Sequence, residues 1–318
     1  MFRPFIILLL LFMTCPAYAD RVYLEGAASR DSDDGGHYQL MSGYRYRIDK
    51  AYQWEFDVAA GTRSYTEEIQ YDTSAPTPQA STEKERFKSA RIALRGTTPK
   101  IWRYNLQLEQ LMSDEWDLLV GSASLSARPN KTWYFEAFGE RELVDTVSAI
   151  REKNHFLSYG FSVDYQVIQS LALVGAVLRQ DFSDGNQRDG YIGRIIYYPK
   201  AFEWLNLQLK GRLLNADKDS DNYFSPERLQ EYFLLFGIAT PFADNDWVIR
   251  ILAGPGTQIV EPFESEREEK DAYLAELRLR GWFSDNLTLE STAGCSSALT
   301  NTDTYSYCYG KLHLGYAW

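Results

Sequence analysis

Histidine and cysteine are scarce in this 318-residue chain, three of each, which leaves little material for metal or nucleophile chemistry. His37, His155 and His313 are scattered, and the sequence contains no His-x-x-x-His pair, no Cys-x-x-Cys and no Gly-x-Ser-x-Gly. Glu290 with His313 comes nearest to an acid–base couple and is read as an isolated ion pair. No catalytic, cofactor-binding or metal-ligating residue is assigned, no cofactor is implied, and the chain is not read as an enzyme. Long apolar runs are missing too. Beyond the N-terminus no stretch of about 18 apolar residues occurs, which excludes a helical membrane protein. Basic excess is also lacking: 33 Lys and Arg stand against 44 Asp and Glu, a net charge of −11. This balance argues against a nucleic-acid partner. The acidic excess sits in four segments, 30–36, 66–85, 215–230 and 261–271, and the sequence between them is nearly neutral. The acidic run Glu264-Ser265-Glu266-Arg267-Glu268-Glu269 is read as a solvated loop.

The N-terminus has the layout of an export signal: Phe2-Arg3, an apolar run from Phe5 to Met13, and Ala17-Tyr18-Ala19 before Asp20. The expected division is a signal peptide over 1–19, removed on export, and a single domain over 20–318. Cys15 follows Phe12-Met13-Thr14, a poor lipid-attachment signal, so lipidation is not expected. What the domain has in abundance is aromatic residues, 22 Tyr, 17 Phe and 8 Trp. Its last ten residues, Tyr309 to Trp318, are apolar at every second position and close on an aromatic. Gly310, Leu312, Leu314, Tyr316 and Trp318 share one strand face, while Lys311, His313, Gly315 and Ala317 share the other.

That rhythm recurs. Segments of roughly ten residues with alternating polarity are separated by connections that are short and long in turn. Sixteen strands are predicted, at 21–29, 37–47, 52–62, 86–96, 101–112, 117–128, 132–142, 155–166, 170–181, 189–199, 203–215, 230–241, 246–258, 271–283, 286–296 and 305–318. The short connections, such as Thr97-Thr98-Pro99-Lys100, Pro129-Asn130-Lys131 and Ser284-Asp285-Asn286, are rich in Pro, Asn and Asp. The longer ones include 66–85, 143–154, 215–229 and 260–270. Leu205, Leu207, Leu209 and Leu213 oppose Asn206, Gln208, Lys210 and Arg212; Trp102, Tyr104, Leu106 and Leu108 oppose Arg103, Asn105, Gln107 and Glu109. Strands 171–181 and 230–241 alternate poorly, and their facing is left open. Lipid-exposed strands need every backbone polar group paired, so they must close on themselves. The predicted fold is all-β: an antiparallel transmembrane β-barrel of the bacterial outer membrane, with short periplasmic turns, long extracellular loops and about 16 strands. Its surroundings would be outer-membrane lipid and lipopolysaccharide.

Taking the polar face of each strand as inward places the carboxylates Glu25, Glu55, Asp57, Glu109, Glu136, Glu140, Asp164, Glu276 and Glu290 on the inner wall. The cations Arg45, Arg47, Arg91, Arg95, Arg103, Arg194, Lys210, Arg212, Arg250, Arg278, Arg280 and Lys311 join them, together with His313. Acids concentrate in the first half of the chain and cations in the second, a pattern that sets up a transverse field in a wide channel. The same residues as interstrand ion pairs filling a narrow barrel are the alternative. Trp102, Trp133, Trp204, Trp247, Phe283 and Trp318 fall near one rim, and Tyr38, Tyr191 and Tyr273 near the other, as interfacial anchors. Tyr134, Phe138, Tyr198 and Trp282 have the parity for stacking on a sugar inside, although packing is the commoner role. Cys295 and Cys308 centre the last hairpin between Asn301 and Thr302, a register that pairs them in a disulfide at the outer rim. Leu312, Leu314, Tyr316 and Trp318 form the terminal signal that barrel-assembly machinery reads.

Two stretches carry a family resemblance, Asp181-Phe182-Ser183-Asp184-Gly185-Asn186-Gln187-Arg188 and Asn222-Tyr223-Phe224-Ser225-Pro226-Glu227-Arg228. The second resembles a loop in the barrels of exopolysaccharide exporters, among them the poly-N-acetylglucosamine porin and the cellulose exporter; the first resembles the loop one hairpin earlier. With the C-terminal strand, the likeness covers roughly the second half of the chain. It implies a 16-stranded barrel ending a secretion route for a carbohydrate polymer, a passive channel relevant to biofilm formation. Those exporters carry a helical-repeat domain before the barrel, whereas here the first strand is expected directly after the signal. The resemblance therefore implies a separate periplasmic helical-repeat partner, with polysaccharide as cargo. A channel for small hydrophilic solutes and a non-transporting, adhesive barrel with acidic surface loops are the other readings. Equally weighted with ligand contact is a rigid turn in which Pro226 fixes the backbone and Glu227-Arg228 begins a short helix.

Overall fold

The computed structural model describes residues 21–31, 35–49, 53–72, 79–98, 101–244, 246–299 and 304–318. The expected leader 1–19 lies outside them. Sixteen strands follow in order: β1 (Arg21–Asp31), β2 (Gly36–Asp49), β3 (Trp54–Asp72), β4 (Gln79–Thr97), β5 (Trp102–Met112), β6 (Asp117–Ala127), β7 (Trp133–Leu143) and β8 (His155–Ile168), then β9 (Leu171–Phe182), β10 (Gln187–Tyr197), β11 (Leu205–Ala216), β12 (Arg228–Phe242), β13 (Trp247–Glu261), β14 (Glu268–Ser284), β15 (Leu287–Leu299) and β16 (Thr304–Ala317). One short helix, α1 (Val147–Arg151), lies between β7 and β8.

Each strand pairs antiparallel with its sequence neighbours, and β1 closes the cylinder against β16 from Arg21↔Ala317 to Asp31↔Tyr307. The connections after β2, β4 and each further even strand share one end, the turn end, with Arg21 and Ala317. Closure removes both sheet edges, and with them the unpaired backbone groups that lipid cannot satisfy.

The two-residue period sorts the side chains. Val22 and Leu24, Leu106 and Leu108, Leu157, Tyr159 and Phe161, Tyr232, Leu234 and Phe236, and Leu312 and Tyr316 are all exposed on the outer surface. At the turn end Trp102, Trp133, Trp204, Phe283 and Trp318 stand exposed, while Trp247 packs edge-on against Phe283 at a centroid distance of 4.9 Å. Tyr38, Tyr191 and Tyr273 are exposed on the same outer face nearer the loop end. Such a surface suits hydrocarbon bordered by aromatic girdles.

Two expectations need correction. Residues 66–85 are not chiefly a loop, because β3 and β4 are paired as far as Asp72↔Gln79. At 19 residues each these strands measure roughly 60 Å, about twice the hydrocarbon thickness, so the hairpin stands clear of the barrel rim. The charged and threonine-rich composition that suggested a loop belongs to a solvated ribbon. Glu227-Arg228 starts no helix either: the segment after Pro226 enters β12 directly at Arg228.

Candidate pore interior

The inner wall is identified by contacts between strands that are not neighbours, which can meet only across the inside of a cylinder. Arg91 on β4 binds Glu25 on β1 at 3.0 Å and accepts the company of the Tyr23 hydroxyl, to which it donates at 3.0 Å. Arg63 on β3 forms a two-pronged contact with Glu109 on β5, 2.9 and 2.8 Å, and a third bond of 2.9 Å to Glu142 on β7. Tyr23 donates to Asp57 at 2.6 Å, Arg45 binds the other oxygen of Asp57 at 3.2 Å, and Ser89 donates to Glu109. Asp57 and Glu109 are each only 1% exposed. Buried carboxylates in this state require both an opposite charge and hydrogen bonds, and each has them. On the wall from β1 to β7, these acids and bases therefore neutralise one another in a packed network.

The loop between β7 and β8 folds into the barrel rather than away from it. Thr146 caps α1, its Oγ1 accepting from the Ala149 amide at 3.3 Å and donating to the Asn222 carbonyl at 2.6 Å. A cap of this kind suits the first turn of a short helix. Val147 and Ile150 are fully buried against Tyr65, Phe87, Leu111, Leu118, Val120 and Leu143. The other side of the loop, Val144 and Ala149, meets Phe182 and Tyr223, whose rings stack at 4.7 Å. The inward residues of β3 to β6 at this level are thus apolar because they receive an apolar helix.

The two resembling stretches meet at the same place. Asn186 donates to the Lys218 carbonyl (2.9 Å), to Ser225 Oγ (2.8 Å) and to the Tyr223 hydroxyl (3.2 Å). Its Oδ1 accepts from the amides of Lys218 and Gln187. Gly185, at φ +83°, makes the turn that presents Asn186; an L side chain resists that conformation. Tyr223 also donates to Asp184 at 2.8 Å, and burial pushes its phenol up to about 12, so it stays a proton donor at physiological pH. Above this plug, a cavity of about 630 Å³ opens at the loop end, and its lining includes Asp31, Glu67, Glu68, Asp145, Asp219, Asp221 and Glu264.

The wall from β10 to β16 differs. Glu231 binds Arg212 and accepts from Gln258 at 2.8 Å; Glu276 binds Arg278 at 2.7 Å and accepts from Tyr309 at 2.6 Å. Arg280 pairs with Glu290 at 3.2 Å, and so the carboxylate read as the partner of His313 is engaged by an arginine. His313 instead stacks on Tyr23 at 5.1 Å. Among the described residues Arg194, Lys210, Arg250 and Lys311 have no carboxylate within ion-pair distance.

The remaining assigned residues have simpler surroundings. Arg47 lies 3.6 Å from Glu55, Arg95 donates to Asn105 at 3.1 Å, and Glu136 accepts from Tyr134 at 2.9 Å. Arg103 and Glu136 both face Ser126, Glu140 lies between Ser122 and Ser158, and Asp164 is opposite Tyr134. Of the four aromatics with inward parity, Tyr134 has the Arg128 guanidinium over its ring at 5.4 Å and Trp282 has that of Arg280 at 5.9 Å. Phe138 is opposite Ser124 and Gly160. Tyr198 lies just past the end of β10 and is exposed. Cys295 and Cys308 are directly opposite one another and bonded.

Arg63, Glu142 and Glu231 were not singled out from the sequence. Arg63 continues the odd-numbered polar face of Asp57 and becomes legible once β3 is extended past 62. Glu142 continues the face of Glu136 and Glu140, and Glu231 was hidden in a strand whose inner face is otherwise apolar.

No protein-family model and no curated protein matches this chain. A solved structure described as a bacterial polysaccharide outer membrane secretin aligns over 94% of this chain and 98% of its own, at 12% identity and a TM-score of 0.71. The fold is that of outer-membrane β-barrels. OccK7 and OprD of Pseudomonas aeruginosa also align over 94% of the chain, at 9% and 8% identity and a TM-score of 0.46 each, covering 98% and 93% of those proteins.

Proposed function

We propose that this chain is an outer-membrane channel through which a carbohydrate polymer leaves the cell. The observation that carries the reading is the contrast between two surfaces of one closed cylinder: exposed leucine and aromatic side chains outside, and water-exposed arginines inside, with Arg278 58% and Arg280 67% exposed. Both are ion-paired, yet a barrel built only for stability would also bury such pairs, as Asp57 and Glu109 are buried on the opposite wall. The overlay with a polysaccharide secretin along nearly its full length supports polymer cargo. Transport by weak contacts at many points requires no single indispensable residue, in keeping with charges spread over several strands. A periplasmic partner would deliver the polymer to the turn end, and the outer surface would contact lipid and lipopolysaccharide.

Purified protein in planar bilayers should conduct, and deletion of its coding sequence should lower secreted polymer. Conductance with unchanged secretion would support passage of small solutes instead. The plug of α1 against β3 to β6 favours a second reading, a closed structural or adhesive barrel. That reading expects no conductance and a loss of surface binding when the acidic loops are shortened.

A further inference from the structure

On the inner wall, Arg250 of β13 lies directly opposite Arg278 of β14, and the same rung continues through Thr292 of β15 to Lys311 of β16. Arg194 of β10 likewise lies opposite Lys210 of β11. Like charges directly across a sheet oppose pairing. Arg278 has Glu276 at 2.7 Å, a carboxylate that also accepts from Tyr309, but among the described residues no carboxylate lies within ion-pair distance of Arg194, Lys210, Arg250 or Lys311. On the opposite wall, by contrast, buried acids engage Arg45 and Arg63, through Asp57 and Glu109. Arg194 also keeps a buried Nε with no hydrogen-bond partner. Destabilising pairs repeated at two places on one wall, in a chain with abundant carboxylates, mark a surface arranged for anions supplied from outside the protein.

The neighbours of these rungs narrow the class of anion. Toward the turn end, Trp282 follows Arg280 on the inward face of β14 and lies under its guanidinium. Toward the loop end, Tyr309 follows Lys311 on the inward face of β16. Side chains two apart on a strand repeat every ~7 Å, so the inward face of β14 runs Arg278, Arg280, Trp282 and that of β16 runs Tyr309, Lys311, and a cationic patch is bordered by an aromatic on either side. An inorganic anion needs only the cations. A ring with carboxylate substituents uses both, the fork binding the carboxylate in two-pronged fashion and the aromatic stacking on the sugar face.

We propose that the Arg250–Arg278–Lys311 rung, flanked by Trp282 and Tyr309, binds carboxylate-bearing saccharides, making an acidic polysaccharide the cargo. This rests on the channel reading for its role in transport but not for its binding chemistry. The test uses full-length protein and oligogalacturonate as the probe. Equilibrium dialysis against detergent-solubilised protein should show saturable binding at low salt that falls steeply at high salt, with no binding of neutral maltooligosaccharide. The Arg250→Gln/Arg278→Gln/Lys311→Gln variant should fold, by unchanged heat-modifiable gel mobility, and weaken binding at least about tenfold, the loss of a little over 1 kcal/mol. In bilayers the same probe should block current in the wild type, and the variant should shift the reversal potential in a salt gradient toward cations. Equal binding of neutral and acidic oligosaccharides, or a folded variant that binds as the wild type does, would overturn the inference. Absence of any conductance would defeat the channel reading and leave dialysis to decide the binding site by itself.

Discussion

At the scale of single residues, Arg63 is the most exposed to test because it satisfies two carboxylates at once. It holds Glu109 and Glu142 from inside the barrel while being only 6% exposed itself. Arg63→Met leaves both acids without a cation, and loss of one member of a buried pair costs about 3–5 kcal/mol. Thermal unfolding in detergent should therefore fall clearly, and Arg63→Met/Glu109→Leu should recover part of the loss, since an apolar replacement of both partners removes the desolvated charge. A single variant as stable as the wild type would show that water already reaches the network. Asn186 makes a milder case. Asn186→Ala removes a side chain that bonds Lys218, Tyr223 and Ser225 at once, at a cost of about 1–3 kcal/mol. Amide exchange across 217–227 should accelerate while the barrel strands stay protected; uniform acceleration would place Asn186 in the global fold instead. The sequence pointed to Arg45 and Asp57, whose strands alternate cleanly, but not to Arg63, because the predicted strand stopped one residue short of it.

At the scale of elements, what was legible and what was not follows from how each strand is used. The last hairpin has lipid on one side and water on the other, so its pattern is clean, and the register read from Cys295 and Cys308 is the observed one from Leu289↔Leu314 through Ala293↔Gly310. β9 and β12 gave no clear facing because their inward residues are apolar as well: Ala172, Val174 and Leu178 on one, Leu229, Phe233 and Leu235 on the other. Periodicity registers the contrast between faces, and a strand packed on both sides has none. The inward fold of α1 was equally out of reach, since five residues give no helical period and the packing partners lie on β3 to β6. That helix can be removed from its seat. Ile150→Asp places an unpaired carboxylate against Phe87 and Leu111, which is unfavourable enough to undock a one-turn helix. Single-channel conductance should rise in this variant while strand content by circular dichroism is unchanged. Unchanged conductance would mean that the open path runs along the β10 to β16 wall and bypasses the helix.

At the scale of the whole molecule, the distribution of charge along the barrel axis matters more than the total of −11. Arg194, Lys210, Arg250, Arg278 and Arg280 lie toward the turn end of their strands, whereas the cavity at the loop end is lined by Asp31, Glu67, Glu68, Asp145, Asp219, Asp221 and Glu264. A conduit that is basic at one end and acidic at the other enriches anions in the first zone and cations in the second. A voltage that drives anions from the turn end inward also drives cations inward from the loop end, and both accumulate in the middle. The opposite voltage empties the middle of carriers. Channels inserted in one orientation should therefore rectify, passing more current when anions move from the turn end to the loop end, the direction of the proposed export. The effect depends on unscreened wall charge, so it should be strong near 0.01 M salt, where the screening length is about 30 Å, and vanish near 1 M, where it is about 3 Å. Replacing Asp219, Asp221 and Glu264 by their amides should weaken it at neutral pH. Symmetric current at low salt and neutral pH would mean that the acidic mouth does not border the conducting path, and the loops would then have to be assigned to contacts outside the barrel.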